Sequence, residues 1–273
     1  TSSWAGKEIE ESRIPVDTSF IMTAMTAPSI HRGRYTLVAL LAFVGVGFAA
    51  TPSPVRAAAP PAPTQVAPPT PHWSWAARVL APSTARVKPD LRAKAITVLQ
   101  PIAPLADGPT ILLVLETRLV GETEWARLLL PRRPNGVSGW VQSDVLRFRR
   151  NAMRIIIDVG DRRTYVQRNG RTVLNVRNAV GTSSTPTPLG RFAVAEKIPV
   201  PSGFLGPLVL PTTGYSEVLN EYAGGNGRFA LHGTNQPGLI GTRASHGCIR
   251  HTNANITRIA SLVSPGTPII IRR

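Results

Sequence analysis

Cys248 is the only cysteine in the chain. It lies in the run Ser245-His246-Gly247-Cys248-Ile249-Arg250-His251, which also carries two of the five histidines. A lone thiol closes no internal disulfide, so its placement between glycine and isoleucine, with histidines on both sides, marks a candidate nucleophile. An ordinary thiol, with a pKa of about 8.5, is only a few per cent thiolate at neutral pH. A histidine within hydrogen-bond reach would raise that reactivity and later return the proton to a leaving amine. His246 and His251 are close in sequence, and His232 lies sixteen positions upstream at the end of Phe229-Ala230-Leu231. Side chains two or three positions apart often diverge, so the distant His232 is the better base. Gly247 permits a tight turn in which the amides of His246, Gly247 and Cys248 can converge on one oxyanion, each such donor contributing about 3 kcal/mol.

No Asp or Glu occurs from Tyr222 to Arg273. A carboxylate from this stretch therefore cannot orient the His232 imidazole, and the carbonyl of Gly233 is the expected partner. The same absence weakens a zinc reading, because the histidines lack paired spacing and no carboxylate stands near; neither a metal nor a cofactor is expected. It also leaves Arg228, Arg243, Arg250 and Arg258 without acids nearby in sequence, and Arg250, two residues past the thiol, is placed to pair with a substrate carboxylate. Against all this stands the plain alternative of a buried, inert cysteine.

The elements that must position these groups are short strands. Residues 154–159, 163–167, 172–180, 190–197 and 267–271 read as strands, with turns at Gly160-Asp161 and Asn169-Gly170. Ile256, Ile259, Ala260 and Val263 recur at helical spacing, so 255–263 reads as one helix, capped by Asn253 or Asn255 and ended by Ser264-Pro265-Gly266. A mostly antiparallel, all-β sandwich with one packed helix is expected over 151–273. The long Gly- and Pro-rich segment 199–227 is expected to form a lid over Cys248. Upstream, 110–119, 125–130 and 137–141 read as strands, the last two joined through Asn135-Gly136, and suggest a small β-barrel over 73–150 with Trp125 and Trp140 in its core.

Arg32 and Arg34 precede the apolar run 35–50, and Ala57-Ala58-Ala59 offers a cleavage site, so 1–59 reads as an extension with a signal peptide. Sixteen apolar residues are short for a membrane span of roughly 20, yet an uncleaved anchor is the rival reading. The Pro- and Ala-rich stretch 60–72 reads as a stiff linker. The 31 Lys and Arg against 15 Asp and Glu give a net charge of +16, which suits a polyanionic neighbourhood. Nucleic acid is disfavoured as that partner, since aromatics are sparse and no nucleic-acid-binding signature is present.

Two resemblances follow. The segment WARLLLPRRPNGVSGWV resembles bacterial SH3-like modules that accompany cell-wall enzymes. The segments HGTNQPGLIG, SHGCIR, TPTPLGRF and GTPIIIRR together resemble the signature of YkuD-type L,D-transpeptidases, over 151–273. That resemblance implies a β-sandwich and a cysteine acyltransferase acting on peptidoglycan in the periplasm or cell wall. Cys248 would be the nucleophile and His232 the base and acid. Amides around His246 and Gly247 would hold the oxyanion, Gly233 would orient His232, and Arg250, Ser245, Thr234 and Asn235 would contact substrate. It further implies attack on the third residue of a stem tetrapeptide, release of D-alanine, a thioester, a 3→3 cross-link formed by a neighbouring stem's amine, and inactivation by carbapenems. An L,D-carboxypeptidase, or a wall-binding module without activity, are the alternatives. The sequence departs from the pattern at His251, where methionine is frequent, and at Asn255, where aspartate is common; both departures bear on substrate fit.

Overall fold

The computed structural model of the chain describes residues 66–201, 203–221 and 224–273. The expected signal or anchor in 1–59 lies outside the described residues. The described residues fall in one compact unit whose regular elements are mostly strands.

Its first part is a single antiparallel sheet of seven strands: β1 (Ser74–Val79), β2 (Ser83–Arg86), β3 (Ala95–Leu99), β4 (Ile111–Val120), β5 (Thr123–Leu129), β6 (Ser138–Gln142) and β7 (Leu146–Asn151). They run in the order β3-β2-β6-β5-β4-β1-β7. Among the described residues no ladder joins β3 to β7, so the sheet is not closed into the expected barrel: β2 and β3, four and five residues long, spend their bonds on each other and on β6. Ala77, Val79, Leu112, Leu128 and Val141 fill its core. Trp125 and Trp140 are buried, as expected, and Arg118 and Arg127 lie against the Trp140 ring. The Pro- and Ala-rich stretch ends sooner than its composition suggests. Val66 is buried, its N–H donates to Thr117 Oγ1 (2.7 Å) and its carbonyl accepts from Thr117 N–H (3.2 Å).

The second part starts without a break. A five-stranded sheet contains β8 (Met153–Asp158), β9 (Arg163–Arg168), β10 (Arg171–Arg177), β12 (Gly190–Ala193) and β18 (Pro268–Arg272), in the order β10-β9-β8-β18-β12. The Asn169-Gly170 turn has both residues at positive φ (48° and 79°), the geometry that closes a two-residue hairpin and the reason this pair ends β9. Facing it is a four-stranded sheet of β13 (Ile198–Pro199), β14 (Leu208–Tyr215), β15 (Arg228–His232) and β17 (Ile249–Arg250). A small parallel pair, β11 (Val180–Gly181) and β16 (Arg243–Ser245), stands beside them. Ile155, Ile157, Phe192, Leu210, Phe229, Leu231 and Ile249 from these two sheets share one core with Ile256, Ile259 and Ala260 of helix α1 (Asn253–Leu262) and with Val263, which caps its C-terminus. The strand expected over 190–197 stops at Ala193, where the ladder gives way to an isolated bridge from Val194 to Thr212.

Helix α1 is capped by Thr252, whose hydroxyl accepts from Asn255 N–H (3.3 Å), and neither asparagine serves. Asn253 is engaged elsewhere: its Oδ1 accepts from Thr234 N–H (2.9 Å).

The two parts meet through polar contacts around one turn. Asn135 Nδ2 donates to Tyr215 O and its Oδ1 accepts from Tyr215 N–H (both 2.8 Å), as a neighbouring strand would. Arg133 donates to Ser216 O (2.5 Å) and Leu219 O (2.8 Å). The Tyr215 ring has the Arg133 and Arg228 guanidinium groups about it at 5.0 and 5.2 Å, and its hydroxyl donates to Pro131 O (2.8 Å). Elsewhere on this interface buried Glu196 accepts from the Leu105 and Ala106 amides (3.1 and 2.8 Å).

Candidate active site

β15 is the inner strand that carries the site. Phe229, Ala230, Leu231 and His232 are all buried, because β14 pairs antiparallel on one side and β17 parallel on the other. The parallel register sets Leu231 opposite Ile249 and His232 opposite Arg250. Cys248 enters β17 one residue earlier, beside Ala230, whose backbone hydrogen-bonds the thiol. Alternate residues of a strand share a face, so Ala230 and His232 point the same way. Cys248 and His232 are thus diagonal neighbours across the parallel pair, so the fold sets the distant histidine one strand from the thiol.

The imidazole is fixed by the backbone. Its Nδ1 lies 2.6 Å from Gly233 O, and since a carbonyl only accepts, Nδ1 carries the proton and the Nε2 lone pair is left for a thiol proton. Burial pushes the His232 pKa down to about 4, with the Arg250 charge adding to it and the Gly233 bond opposing. Burial raises the part-buried Cys248 thiol above its ordinary value, opposed by the Ala230 backbone bond and by Arg250. At neutral pH the resting pair is therefore a thiol and a neutral imidazole.

The nucleophile turn is built from hydroxyls. Ser245 Oγ accepts from Gly247 N–H (3.2 Å) and donates to Cys248 O (2.5 Å). Thr187 Oγ1 donates to Gly247 O (3.0 Å) while accepting from Gly181 N–H (2.9 Å), and Thr185 Oγ1 donates to Ser245 O (3.2 Å). Gly247 sits at φ 112°, a conformation a side chain would strain. These bonds explain the TPTPLGRF motif: its threonines brace the turn, and Phe192 meets Phe229 of β15 edge to face at 5.0 Å.

Two of the expected site groups are engaged within the turn itself. The Gly247 amide, expected in the oxyanion hole, is spent on Ser245, whereas the Cys248 N–H has no acceptor among the described residues. Ser245, expected at the substrate, is buried with its hydroxyl bonded inside the turn, where it shapes the loop. Thr234 is also buried, its Oγ1 accepting from Gln236 N–H (3.0 Å); Asn235 beside it and His246 are exposed.

Arg250 is buried, its backbone doubly bonded to Ala179 (2.9 Å each way) and its guanidinium carbon 4.9 Å from the Phe204 ring centre. Phe204 also lies 6.4 Å, centre to centre, from the His232 ring. It belongs to the segment expected as a lid, whose β13–β14 connection therefore reaches the site. Gly206 and Gly233 make that approach possible: a Cβ on Gly206 would fall 2.6 Å from the Gly233 Cα, and one on Gly233 would fall 2.9 Å from the Gly206 Cα.

Two residues behind the site, Thr164 and Asn178, carried too weak a sequence signal to be assigned. They hold His251, which is fully buried, its backbone N–H donating to His232 O (2.9 Å) and its Nε2 bonded to Thr164 Oγ1 (2.9 Å), which accepts from Asn178 Nδ2 (2.8 Å). Burial, then the His232 charge, push its pKa down to about 3, against the Ile249 backbone.

Residues 152–271 match the family described as YkuD, the L,D-transpeptidase catalytic domain. That match takes in less than half of the chain. The putative L,D-transpeptidase YkuD of Bacillus licheniformis is 32% identical over 118 residues, and that of Bacillus subtilis 31% over 119. The alignments take in 43% and 44% of this chain and 64% and 65% of those proteins, so the chain spans under two thirds of the relatives it matches. An Enterococcus faecium L,D-transpeptidase structure is 20% identical, covering 44% of this chain and 49% of that one at a TM-score of 0.35. One from Mycobacterium smegmatis is 17% identical, covering 55% and 91% at 0.36. The matched residues contain the thiol, the histidine and the bracing threonines, while the seven-stranded sheet lies outside them.

Proposed function

We propose that this chain is a peptidoglycan L,D-transpeptidase that forms 3→3 cross-links through a thioester on Cys248. The observation that carries the reading is the neutral His232, held by Gly233 with Nε2 bare, one strand from the thiol. His232 takes the thiol proton as sulfur attacks the carbonyl of the third residue of a stem tetrapeptide. The Cys248 amide is the donor nearest the developing oxyanion. The C–N bond then breaks, the terminal D-alanine leaves with the proton from His232, and the acyl group stays on sulfur. An amine of a neighbouring stem attacks, the C–S bond breaks, and its surplus proton returns to sulfur through His232. The conserved acyl energy removes any need for a nucleotide. Arg250, stacked on Phe204 beside His232, is suited to a substrate carboxylate, and Asn235 lies exposed on the adjoining loop.

The net charge of +16 suits an anionic wall, and the apolar run 35–50 provides a route of export. Incubation with a disaccharide-tetrapeptide, read by mass spectrometry, tests the proposal. Cross-linked dimer is expected; tripeptide alone would make the protein a carboxypeptidase, and unchanged substrate with no carbapenem adduct on Cys248 would make it a binding module. Cys248→Ala is expected to abolish the adduct, and His232→Ala to slow it by about a hundredfold or more.

A further inference from the structure

The reaction as written makes no use of the outer face of the five-stranded sheet. Ile155, Ile157 and Val166 of β8 and β9 point into the core shared with β15 and β17. Their alternate neighbours therefore look the opposite way, away from the sheet that carries His232 and Cys248. The seven-stranded sheet covers one end of this outer face, where Ala193 of β12 packs with Leu113 and Leu129. The remainder is ordered in cross-strand rows by the register. One row is Arg272, Asp158, Arg163 and Arg177, across β18, β8, β9 and β10. The next is Arg191, Ile270, Ile156, Tyr165 and Asn175, starting from β12. Arg154 and Gln167 stand opposite each other in the third.

Five arginines thus share these rows with one acid. Asp158 is already engaged: its Oδ1 accepts from Asp161 N–H (2.9 Å), and its Oδ2 lies 3.8 Å from Arg272 Nε. Arg163 and Arg177 are directly opposed, a like-charge pairing that costs stability in a sheet. Neutral carboxamides hold two of the guanidinium groups. Arg154 Nε donates to Gln167 Oε1 (2.7 Å), Gln167 Nε2 donates to Thr172 Oγ1 (3.2 Å), and Arg163 Nη1 donates to Asn175 Oδ1 (3.0 Å). A guanidinium fixed by an amide is oriented, yet keeps its charge and its other N–H donors. Burial, then the Arg272 charge, lower the Arg154 pKa from its ordinary value, so the arginines act on one another across the face.

Between the charged rows runs an apolar strip of Tyr165, Ile156 and Ile270. It is recessed: Ile156 is 8% exposed, Tyr165 and Ile270 are half-buried, and no exposed large hydrophobic side chain stands on β8, β9, β12 or β18. Nothing on these strands protrudes to enter a lipid layer. A flat strip with an aromatic ring accepts the C–H faces of sugar rings, and flanking guanidinium groups accept anionic substituents. The row from Arg272 to Arg177 crosses three strand spacings, about 14 Å, which is wider than one small anion fills.

We propose that this face docks a linear anionic polysaccharide, with sugar rings on Tyr165 and the anionic groups on Arg154, Arg163, Arg191 and Arg272. It lies on the far side of the core from the thiol, so a bound polymer holds the protein without occupying the site. The inference stands apart from the acyl-transfer reading.

The test uses the whole chain and four probes: polygalacturonate, neutral dextran, polyglutamate and phosphatidylglycerol vesicles, with binding measured by calorimetry over a salt series. Polygalacturonate should bind, more weakly as salt rises, and dextran should not. Arg163→Gln with Arg272→Gln should weaken binding about tenfold and lower the slope of log K on log salt by roughly one to two. Arg92→Gln with Lys94→Gln, which removes the same charge from exposed residues elsewhere, should change affinity by less than about twofold. Arg191→Gln, at an exposed position that leaves the carboxamide bonds intact, should weaken binding about threefold. Tyr165→Ala should weaken it about threefold with the slope unchanged. Carbapenem adduct formation on Cys248 should be kept in every variant, so failure of the acyl-transfer reading and failure of docking are read separately. Equal losses from the two charge pairs would reduce the effect to net charge and overturn the proposal. Polyglutamate bound as tightly as polygalacturonate, or Tyr165→Ala without effect, would remove the polysaccharide; vesicle binding without polymer binding would replace it with a membrane.

Discussion

His251→Met isolates the cost of keeping a histidine neutral in this core. In the folded chain His232 titrates at about 4 and His251 at about 3, both below the ordinary 6.5. Depressed histidine pKa values mean that below 6.5 the unfolded chain binds more protons than the folded one, so stability falls as pH drops toward those folded values. At about 1.36 kcal/mol per pH step, each histidine removes about 3 kcal/mol between pH 7 and pH 4. Their sum of about 6 kcal/mol is comparable to the whole stability of an ordinary domain. Methionine at 251 removes the titrating group while filling the same buried space. The assay is urea denaturation followed by circular dichroism at both pH values, because the tryptophans all lie outside 151–273. The variant can differ at pH 7 through the lost Thr164 bond, so the decisive number is the change with pH. The variant should lose about 3 kcal/mol less than the parent between pH 7 and pH 4. Equal losses in both proteins would refute the claim that His251 is held neutral.

The acylation rate by a carbapenem should be flat across neutral pH and decline only as His232 gains a proton near its pKa of about 4; an acid limb centred near 6.5 would contradict the buried, neutral base. Ser245→Ala removes the hydroxyl that spans the nucleophile turn, and is expected to lower acylation kcat/KM with a loss of about 1–3 kcal/mol in stability; unchanged kinetics would show that the turn holds without it. Glu196→Ala strips the acceptor from two backbone amides and should destabilise the chain by about 1–3 kcal/mol in urea denaturation, an unchanged midpoint counting against that contact.

Most of the strand pattern was legible because period-two burial and Asn-Gly turns are local signals, as at Asn135-Gly136 and Asn169-Gly170. The backbone partner of His232 was legible too, since the acid-free stretch after Glu221 offers no carboxylate to orient it. What escaped is what depends on pairing across long sequence distances. Whether β3 and β7 meet is a matter of register between strands some fifty residues apart, and no turn signal encodes it. The commitment of Ser245 to its own loop, and of Asn253 to Thr234 in place of the helix cap, are choices among several acceptors that composition does not rank. Val66 looked like linker because its neighbours are Pro and Ala; Thr117, fifty-one positions on, draws it into the sheet.

The backbone partner of His232 has a consequence for how the site is switched on. A carboxylate in place of the Gly233 carbonyl would favour the imidazolium and raise the histidine pKa by about 1–3 pH units. Here burial and Arg250 act against the imidazolium, so the base stays unprotonated far below neutral pH. The same Arg250 charge favours the thiolate, while burial opposes it. In the proposed reaction the proton therefore rests on sulfur and moves to Nε2 only when a bound carbonyl gives the sulfur somewhere to react. Thr185, Thr187 and Ser245 keep the turn in place through that transfer without adding a charge that would move either pKa. A thiol left protonated at rest is also a poor target for oxidants, which act on the thiolate.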